Sequence, residues 1–208
     1  MNICVCLSGS GRSLANLLEH QKNASWSVKL VISSSASCKG IDVAKRAGIQ
    51  VMTFDFSSKS SQEQSIKLST KIQSVFDEHK ISLVVLAGFL KKFPKIADFE
   101  GKVINIHPAL LPKYGGKGMY GMNVHQAVHK AREEVSGATV HFVNAAYDEG
   151  AVISQIQVKI LQKYSPEEIA NKVFEAECVL LPKTIDALLT GELPLQNGKV
   201  KEMKMPHG

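Results

Sequence analysis

Cysteine, tryptophan and long apolar runs are scarce in this chain, and each shortage removes a class of protein. The four cysteines, Cys4, Cys6, Cys38 and Cys178, show no Cys-x-x-Cys spacing and are too few for a disulfide-stapled scaffold. Cys4 and Cys6 share one face of an expected strand, so buried, reduced thiols are the expectation. The longest apolar run, residues 83–90, falls well short of the roughly 20 residues that a membrane-spanning helix needs. The chain opens Met-Asn-Ile-Cys-Val-Cys-Leu and turns at once into Ser-Gly-Ser-Gly-Arg, without the charged and apolar regions of a secretory signal. A cytoplasmic protein with no membrane partner is expected. Basic residues are not interleaved with aromatic ones into a stripe, which argues against a dedicated nucleic-acid surface.

What is present is ordinary globular material. The 208 residues are 44% hydrophobic and 21% charged, with 15 Gly and 7 Pro, enough chain for one domain with a sizeable core. The formal charge of +6 lies partly in residues 199–204, which read as a solvated basic tail. A modest positive field remains, and it favours anionic small molecules.

Short β-branched runs at residues 2–7, 28–33, 51–54, 83–87 and 103–106 read as strands. Several are apolar throughout, as parallel strands covered on both faces should be. Helices are expected over 13–20, over 41–47 with Gly48 as the stop, and over 62–79, entered through Ser60-x-x-Glu63 as a capping box. A Gly-rich loop at 113–121, expected to be mobile, leads to a helix near 124–131. Strands at 137–142 and 152–159 follow. The last helix starts at Pro166, signalled by Ser165-x-x-Glu168, and runs to about residue 189 with a kink expected at Pro182. The repeated strand-helix-strand pattern implies an α/β fold: a doubly wound, mostly parallel Rossmann-like sheet with helices on both faces and later strands extending the sheet. Residues 1–190 form the expected domain, and 191–208 an expected polar, partly disordered tail.

In such sheets ligands bind beyond the carboxyl ends of the strands. The first strand ends in Ser8-Gly9-Ser10-Gly11-Arg12-Ser13, a glycine-rich turn into a helix whose free N–H groups suit a phosphate. The third glycine of a dinucleotide fingerprint would fall at Leu14, and strand two ends in three serines with no acidic residue for a ribose. A lone phosphomonoester therefore fits better than a dinucleotide, beside the plainer reading of a tight turn. In Val103-Ile-Asn-Ile-His-Pro the period of two puts Asn105 and His107 on the same side. Two readings fit that pair. It caps a loop, or it supplies the amide donor and imidazole that acyl transfer needs.

These residues carry a resemblance. Asn105-Ile-His-Pro-Ala-Leu-Leu-Pro-Lys-Tyr-Gly, Leu86-Ala-Gly-Phe-Leu, the opening Ser-Gly-Ser-Gly turn and Val140-His-Phe-Val with Asp148-x-Gly150 together resemble the folate-dependent formyltransferases, those acting on phosphoribosylglycinamide. The resemblance covers about residues 2–190. It implies transfer of a formyl group from 10-formyltetrahydrofolate to the glycinamide amine of 5′-phosphoribosylglycinamide in de novo purine biosynthesis, without a metal, by a monomer or homodimer. Asn105, His107 and Asp148 match the family's catalytic set. Asn105 and protonated His107 would stabilise the tetrahedral oxyanion, with Asp148 keeping His107 charged and ordering a proton-carrying water.

By the same resemblance Gly11, Arg12 and Ser13 would hold the substrate phosphate. The reduced folate would lie along Leu86, Gly88, Phe89 and Leu90 and the backbone of Asn144, Ala145 and Tyr147. The family has Ser and Asn where this chain has Arg12 and Ser13, and Ser at Ala109. Glu177 has support of its own: Ile169, Val173, Glu177 and Leu181 follow at four-residue steps, so a carboxylate interrupts an apolar stripe. The resemblance assigns it to the ribose hydroxyls, and a salt bridge in the core is the alternative. His125, His129 and Glu133 sit four apart, a weak zinc pattern without further ligands. His141 is expected to support the site, and His20, His79 and His207 to be solvated. Relatives that formylate an aminoacyl-tRNA append domains that 208 residues do not accommodate, and a non-catalytic nucleotide-binding module would leave Asn105, His107 and Asp148 without a purpose.

Overall fold

A computed structural model of the chain describes residues 1–56, 61–144 and 147–192. Ala145, Ser60, His207 and the tail from residue 193 lie outside the described residues. The chain divides into two compact units, Met1–Ile104 and Asn105–Gly208.

The first unit holds β1 (Asn2–Leu7), β2 (Ser27–Ser33), β3 (Gln50–Thr53) and β4 (Ile81–Leu86), all parallel, in the order β3-β2-β1-β4. Helices α1 (Arg12–His20), α2 (Gly40–Arg46) and α3 (Gln62–Glu78) make the crossovers. The chain steps outward from β1 to β3, then returns past β1 to place β4. Because such crossovers are right-handed, α1 and α2 cover one face and α3 the other. The doubly wound, parallel pattern expected from the apolar runs is thus realised: residues Ile3 to Leu7 of β1 are buried, as are Val28 and Leu30 to Ser33 of β2. The reversal leaves a crevice position at the carboxyl ends of β1 and β4.

The second unit holds β5 (Val103–His107, whose first two residues belong to the first unit), α4 (Met122–Lys130), β6 (Val135–Phe142), β7 (Val152–Lys159) and α5 (Pro166–Thr190). Strands follow in the order β5-β6-β7, and β6 pairs antiparallel with β7, Thr139 opposite Gln155. α5 packs on α4, β6 and β7 through Ile169, Val173, Leu180, Leu181 and Ile185.

Several boundaries differ from expectation. The capping box of α3 is Ser61 with Gln64, not Ser60 with Glu63: the Ser61 hydroxyl accepts from the Gln64 N–H at 3.2 Å, and the Gln64 side chain accepts from the Ser61 N–H at 2.8 Å. Two adjacent Ser-x-x-Glu/Gln frames overlap there, and the sequence alone cannot choose between them. The Ser165/Glu168 box is as expected, and α5 continues through Pro182 to Thr190. His20 and His79 are half-buried: His20 stacks on Trp26, and His79 bonds to the Val75 carbonyl and Gln50. Among the described residues no helix is long and apolar enough to cross a membrane.

Gly11 shows why α1 begins where it does. It caps the helix at φ +78°, and a Cβ there would lie 2.6 Å from the Gly40 Cα at the start of α2. Gly11→Ala is therefore expected to lower unfolding free energy by about 2 kcal/mol through backbone strain and overpacking. Urea unfolding checks this, and unchanged stability would show that the α1–α2 contact yields freely.

Candidate functional site

At the carboxyl ends of β1, β2 and β4, one serine ties three strands together. The Ser8 N–H donates to the Gly88 carbonyl at 3.0 Å, its hydroxyl meets the Ser34 hydroxyl at 2.7 Å, and that same hydroxyl accepts from the Leu90 N–H at 2.9 Å. The Gly9 carbonyl accepts from the Gly40 N–H at 3.0 Å and from the Cys38 thiol at 2.9 Å, which pins the glycine turn against α2. Among the described residues no side chain caps the α1 N-terminus and no acidic residue sits in its first turn. Arg12 is exposed and Ser13 half-buried there, so the end keeps its positive dipole for an anion.

The expected apolar wall is two-natured. Phe89 is only 9% exposed, its ring edge-on to Phe56 at 4.9 Å and close to Phe93, whereas Leu90 is 52% exposed. Leu86 is buried, and Gly88 is exposed at φ +68°. A ligand along this segment meets backbone and Leu90, with the Phe89 ring supporting from within.

The second unit brings Asn105, His107 and Asp148 together around a fourth residue, His141. The alternation of β5 aims Asn105 and His107 alike. His107 is 3% exposed. Its Nε2–H donates to the Tyr114 carbonyl at 2.8 Å, and its Nδ1 faces Asp148 Oδ2 at 3.6 Å, beyond hydrogen-bonding range. On β6, His141 donates from Nδ1 to the Phe142 carbonyl at 2.9 Å, so its neutral Nε2 accepts from the Asn105 amide at 3.0 Å. That nitrogen also lies 3.5 Å from Asp148 Oδ1. The Gly116 N–H donates to Asp148 Oδ2 at 2.9 Å. Asp148 sits at φ +57°, and Gly150 follows where any Cβ would run into the Phe142 carbonyl. These constraints turn the chain after β6 so that the carboxylate faces both imidazoles.

Charge follows from this geometry. Burial pushes the Asp148 carboxyl up, but the neighbouring His141 and His107 and the Gly116 N–H outweigh it and hold its pKa below the usual value. For His107 burial wins: it lowers the pKa despite Asp148 and the Tyr114 carbonyl, which both raise it. With Nε2–H on the Tyr114 carbonyl, the neutral His107 ring presents a lone pair at Nδ1 and donates there only as the imidazolium, the form that negative charge placed beside it favours; the Asn105 amide is a donor two residues away.

The sequence reading missed four contributors: the Tyr114 carbonyl, the Gly116 N–H, His125 and the Thr139–Gln155 pair. Backbone groups carry no residue-type signal. Thr139 donates to the Ala109 carbonyl at 2.6 Å and accepts from the Leu111 N–H at 3.1 Å, while Gln155 bonds to Thr139 and to the Leu111 carbonyl. Together they fix the chain leaving His107. In the sequence His125 reads only as a weak metal-ligand candidate with His129 and Glu133. It is buried while His129 is exposed, and the Glu133 carboxylate is held by Lys113 and Tyr114. Among the described residues no group of three His, Cys, Asp or Glu side chains could hold a metal. Glu177 is half-buried between buried Val173 and Leu181 on α5. Asn144 and Tyr147, on either side of the undescribed 145–146, are exposed.

An amide, two imidazoles and a carboxylate gathered at the ends of β5 and β6 are groups that can hold an oxyanion and move a proton. The comparisons agree in kind. The sequence model of the Formyl transferase family matches residues 1–185, and the chain belongs to that family. It is 35% identical over 191 residues to "Phosphoribosylglycinamide formyltransferase, chloroplastic" of Arabidopsis thaliana, covering 89% of this chain and 64% of the relative. To "Phosphoribosylglycinamide formyltransferase" of Haemophilus influenzae it is 33% identical over 199 residues, covering 94% of this chain and 90% of the relative. The solved structure of phosphoribosylglycinamide formyltransferase from Anaplasma phagocytophilum superposes with a TM-score of 0.83 at 29% identity, covering 100% of this chain and 96% of that one. The chain spans under two thirds of the two plant relatives' length, 64% and 60%.

His125 also generates a stability prediction. It is 6% exposed, its Nδ1 has no partner among the described residues, and burial together with the nearby His107 lowers its pKa from 6.5 to about 4. On acidification the unfolded chain takes up this proton first, so stability complete above about pH 6.5 is lost towards about pH 4, by about 3 kcal/mol. The lowered His107 and Asp148 pKa values add losses of the same sign, Asp148's at lower pH. His125→Phe should flatten the pH dependence between 6.5 and 4, measured by urea unfolding at each pH.

Proposed function

We propose that the protein transfers the formyl group of 10-formyltetrahydrofolate to the glycinamide amine of 5′-phosphoribosylglycinamide, as a cytoplasmic enzyme of de novo purine biosynthesis acting as a monomer or homodimer. The observation that carries this reading is the convergence of Asn105, His107 and Asp148 around His141. The names of the relatives support the substrate pair.

The substrate amine attacks the formyl carbon, forming a C–N bond, and the tetrahedral oxyanion meets two donors: the Asn105 amide and the Nδ1–H that His107 carries as an imidazolium. That nitrogen is free for this role because Nε2 is already occupied by the Tyr114 carbonyl. Negative charge developing beside Nδ1 strengthens the imidazole's hold on its proton, offsetting the burial that weakens it. Asp148 accepts the proton released by the amine, through a water, and the proton ends on N10 of the folate as the formyl C–N10 bond breaks. The step needs no Lewis acid. Gly11, Arg12 and Ser13 are assigned to the substrate phosphate and Glu177 to its ribose. Leu86, Gly88, Phe89, Leu90, Asn144, Ala145 and Tyr147 are assigned to the folate, Phe89 by its backbone. Residues 1–190 are assigned as the catalytic part.

The test is conversion of 10-formyltetrahydrofolate to tetrahydrofolate by pure protein, expected only when phosphoribosylglycinamide is present and unchanged by chelators. Formylation of an aminoacyl-tRNA instead would replace the acceptor. Asn105→Ala and His107→Ala should each lower kcat about 100- to 1,000-fold with little change in KM. Near-normal kcat in folded His107→Ala would overturn the mechanism. Glu177→Gln should weaken phosphoribosylglycinamide binding about tenfold and leave folate binding unaltered, by calorimetry, since a carboxylate loses about half its hydrogen-bond strength as an amide.

A further inference from the structure

The segment after β5 touches the catalytic pair twice. The Tyr114 carbonyl accepts from His107 Nε2–H at 2.8 Å, and two residues on the Gly116 N–H donates to Asp148 Oδ2 at 2.9 Å. Both groups are backbone, so their position depends on what holds residues 114–116. Tyr114 sits at φ +57°, a conformation that a bulky side chain rarely adopts without support. The support is visible at the far end of its side chain. The phenol donates to Glu133 Oε1 at 2.9 Å, and the same oxygen accepts from the Lys113 ammonium at 3.0 Å. Glu133 is itself placed by the turn that ends α4, where its N–H donates to the Val128 carbonyl at 3.3 Å.

We propose that Tyr114 and Glu133 form a brace whose purpose is to position His107 and Asp148. The carboxylate fixes the phenol, the phenol fixes the backbone of residues 114–116, and that backbone sets the roles of the two ring nitrogens of His107. With Nε2–H spent on the Tyr114 carbonyl, Nδ1 is the nitrogen turned towards Asp148 and any reacting oxygen. Slackening the brace lets the ring turn or frees Nε2, so the donor is no longer aimed. Glu133 and Tyr114 touch no reacting atom in this scheme and are positioning residues. The carbonyl also favours the charged imidazole, because a cation donates the stronger hydrogen bond. The other groups facing His107 are Asp148, His141 and His125, and substitutions at Tyr114 and Glu133 leave them in place.

This inference rests on formyl transfer at His107, and the test separates the two. Tyr114→Phe, Glu133→Ala and Glu133→Gln are compared with the unmodified protein by steady-state transfer across pH and by NMR titration of the His107 ring, with thermal unfolding as a control. Tyr114→Phe and Glu133→Ala should lower kcat about three- to tenfold, the worth of one hydrogen bond, with both KM values within about twofold. The basic limb of the kcat profile should move to lower pH by about half a unit. Glu133→Gln should recover most of the loss, since its amide oxygen still accepts from the phenol. The double variant Tyr114→Phe, Glu133→Ala should be no worse than the poorer single one, as for two parts of one device. A uniform loss at all pH values with an unmoved limb and an unchanged His107 titration would overturn the brace. If the unmodified protein transfers no formyl group, the functional reading fails alone, and the His107 titration still decides whether Tyr114 and Glu133 govern that ring.

Discussion

A half-buried carboxylate cannot be left without partners, and Asp148 is the group whose needs organise the second unit. Its two oxygens face His107, His141 and the Gly116 N–H. A carboxylate removed from water costs several kcal/mol unless hydrogen bonds and opposite charge replace its hydration. Here they come from two different strands and one loop, so β5, β6 and the chain at 114–116 must all be in place at once. Asp148 itself reaches them only by taking a positive φ, next to a position that only glycine fills at Gly150.

The same logic explains why the helpers are backbone and β-sheet groups. A side chain donor in water reorients freely, but Nδ1 of His141 is locked on its neighbour's carbonyl and Nε2 of His107 on that of Tyr114. Each imidazole is left with one nitrogen to offer, and the tautomer is set before any ligand arrives. Thr139 and Gln155 hold the chain that carries His107 onward, through a network in which the Thr139 hydroxyl both donates and accepts and the Gln155 amide donates twice. Preorganisation of this kind is what makes two hydrogen-bond donors effective against a charge that exists only fleetingly.

In the first unit the design is different. The Gly9–Ser13 turn and the 86–90 segment meet through Ser8, whose amide and hydroxyl make three bonds to other strand ends. A topological reversal at β1 and β4 brings these ends side by side, and small residues let the turn lie against α2. The result is a polar helix terminus beside a partly apolar backbone segment. Phe89 shows how the apolar wall is made firm, since its ring is packed edge-on into the Phe56 and Phe93 cluster.

Periodicity and punctuation alone determined the elements and their parallel, doubly wound order. Apolar runs such as Ile3 to Leu7 can be satisfied only by cover on both faces, and Ser165 with Glu168 states a helix start in local chemistry. Period two likewise puts Asn105 and His107 on one side. Local signals failed where two frames were equally good, as at Ser60 and Ser61, or where a histidine could be solvated or stacked, as at His20. Only the tertiary structure decided that Asp148 is half-buried against two imidazoles, that Glu133 accepts from the Tyr114 phenol, and that the Tyr114 carbonyl occupies Nε2 of His107. Those outcomes depend on residues 7 to 32 positions apart in the chain meeting within hydrogen-bond distance, and a contact across that separation leaves no trace in the residues on either side of it.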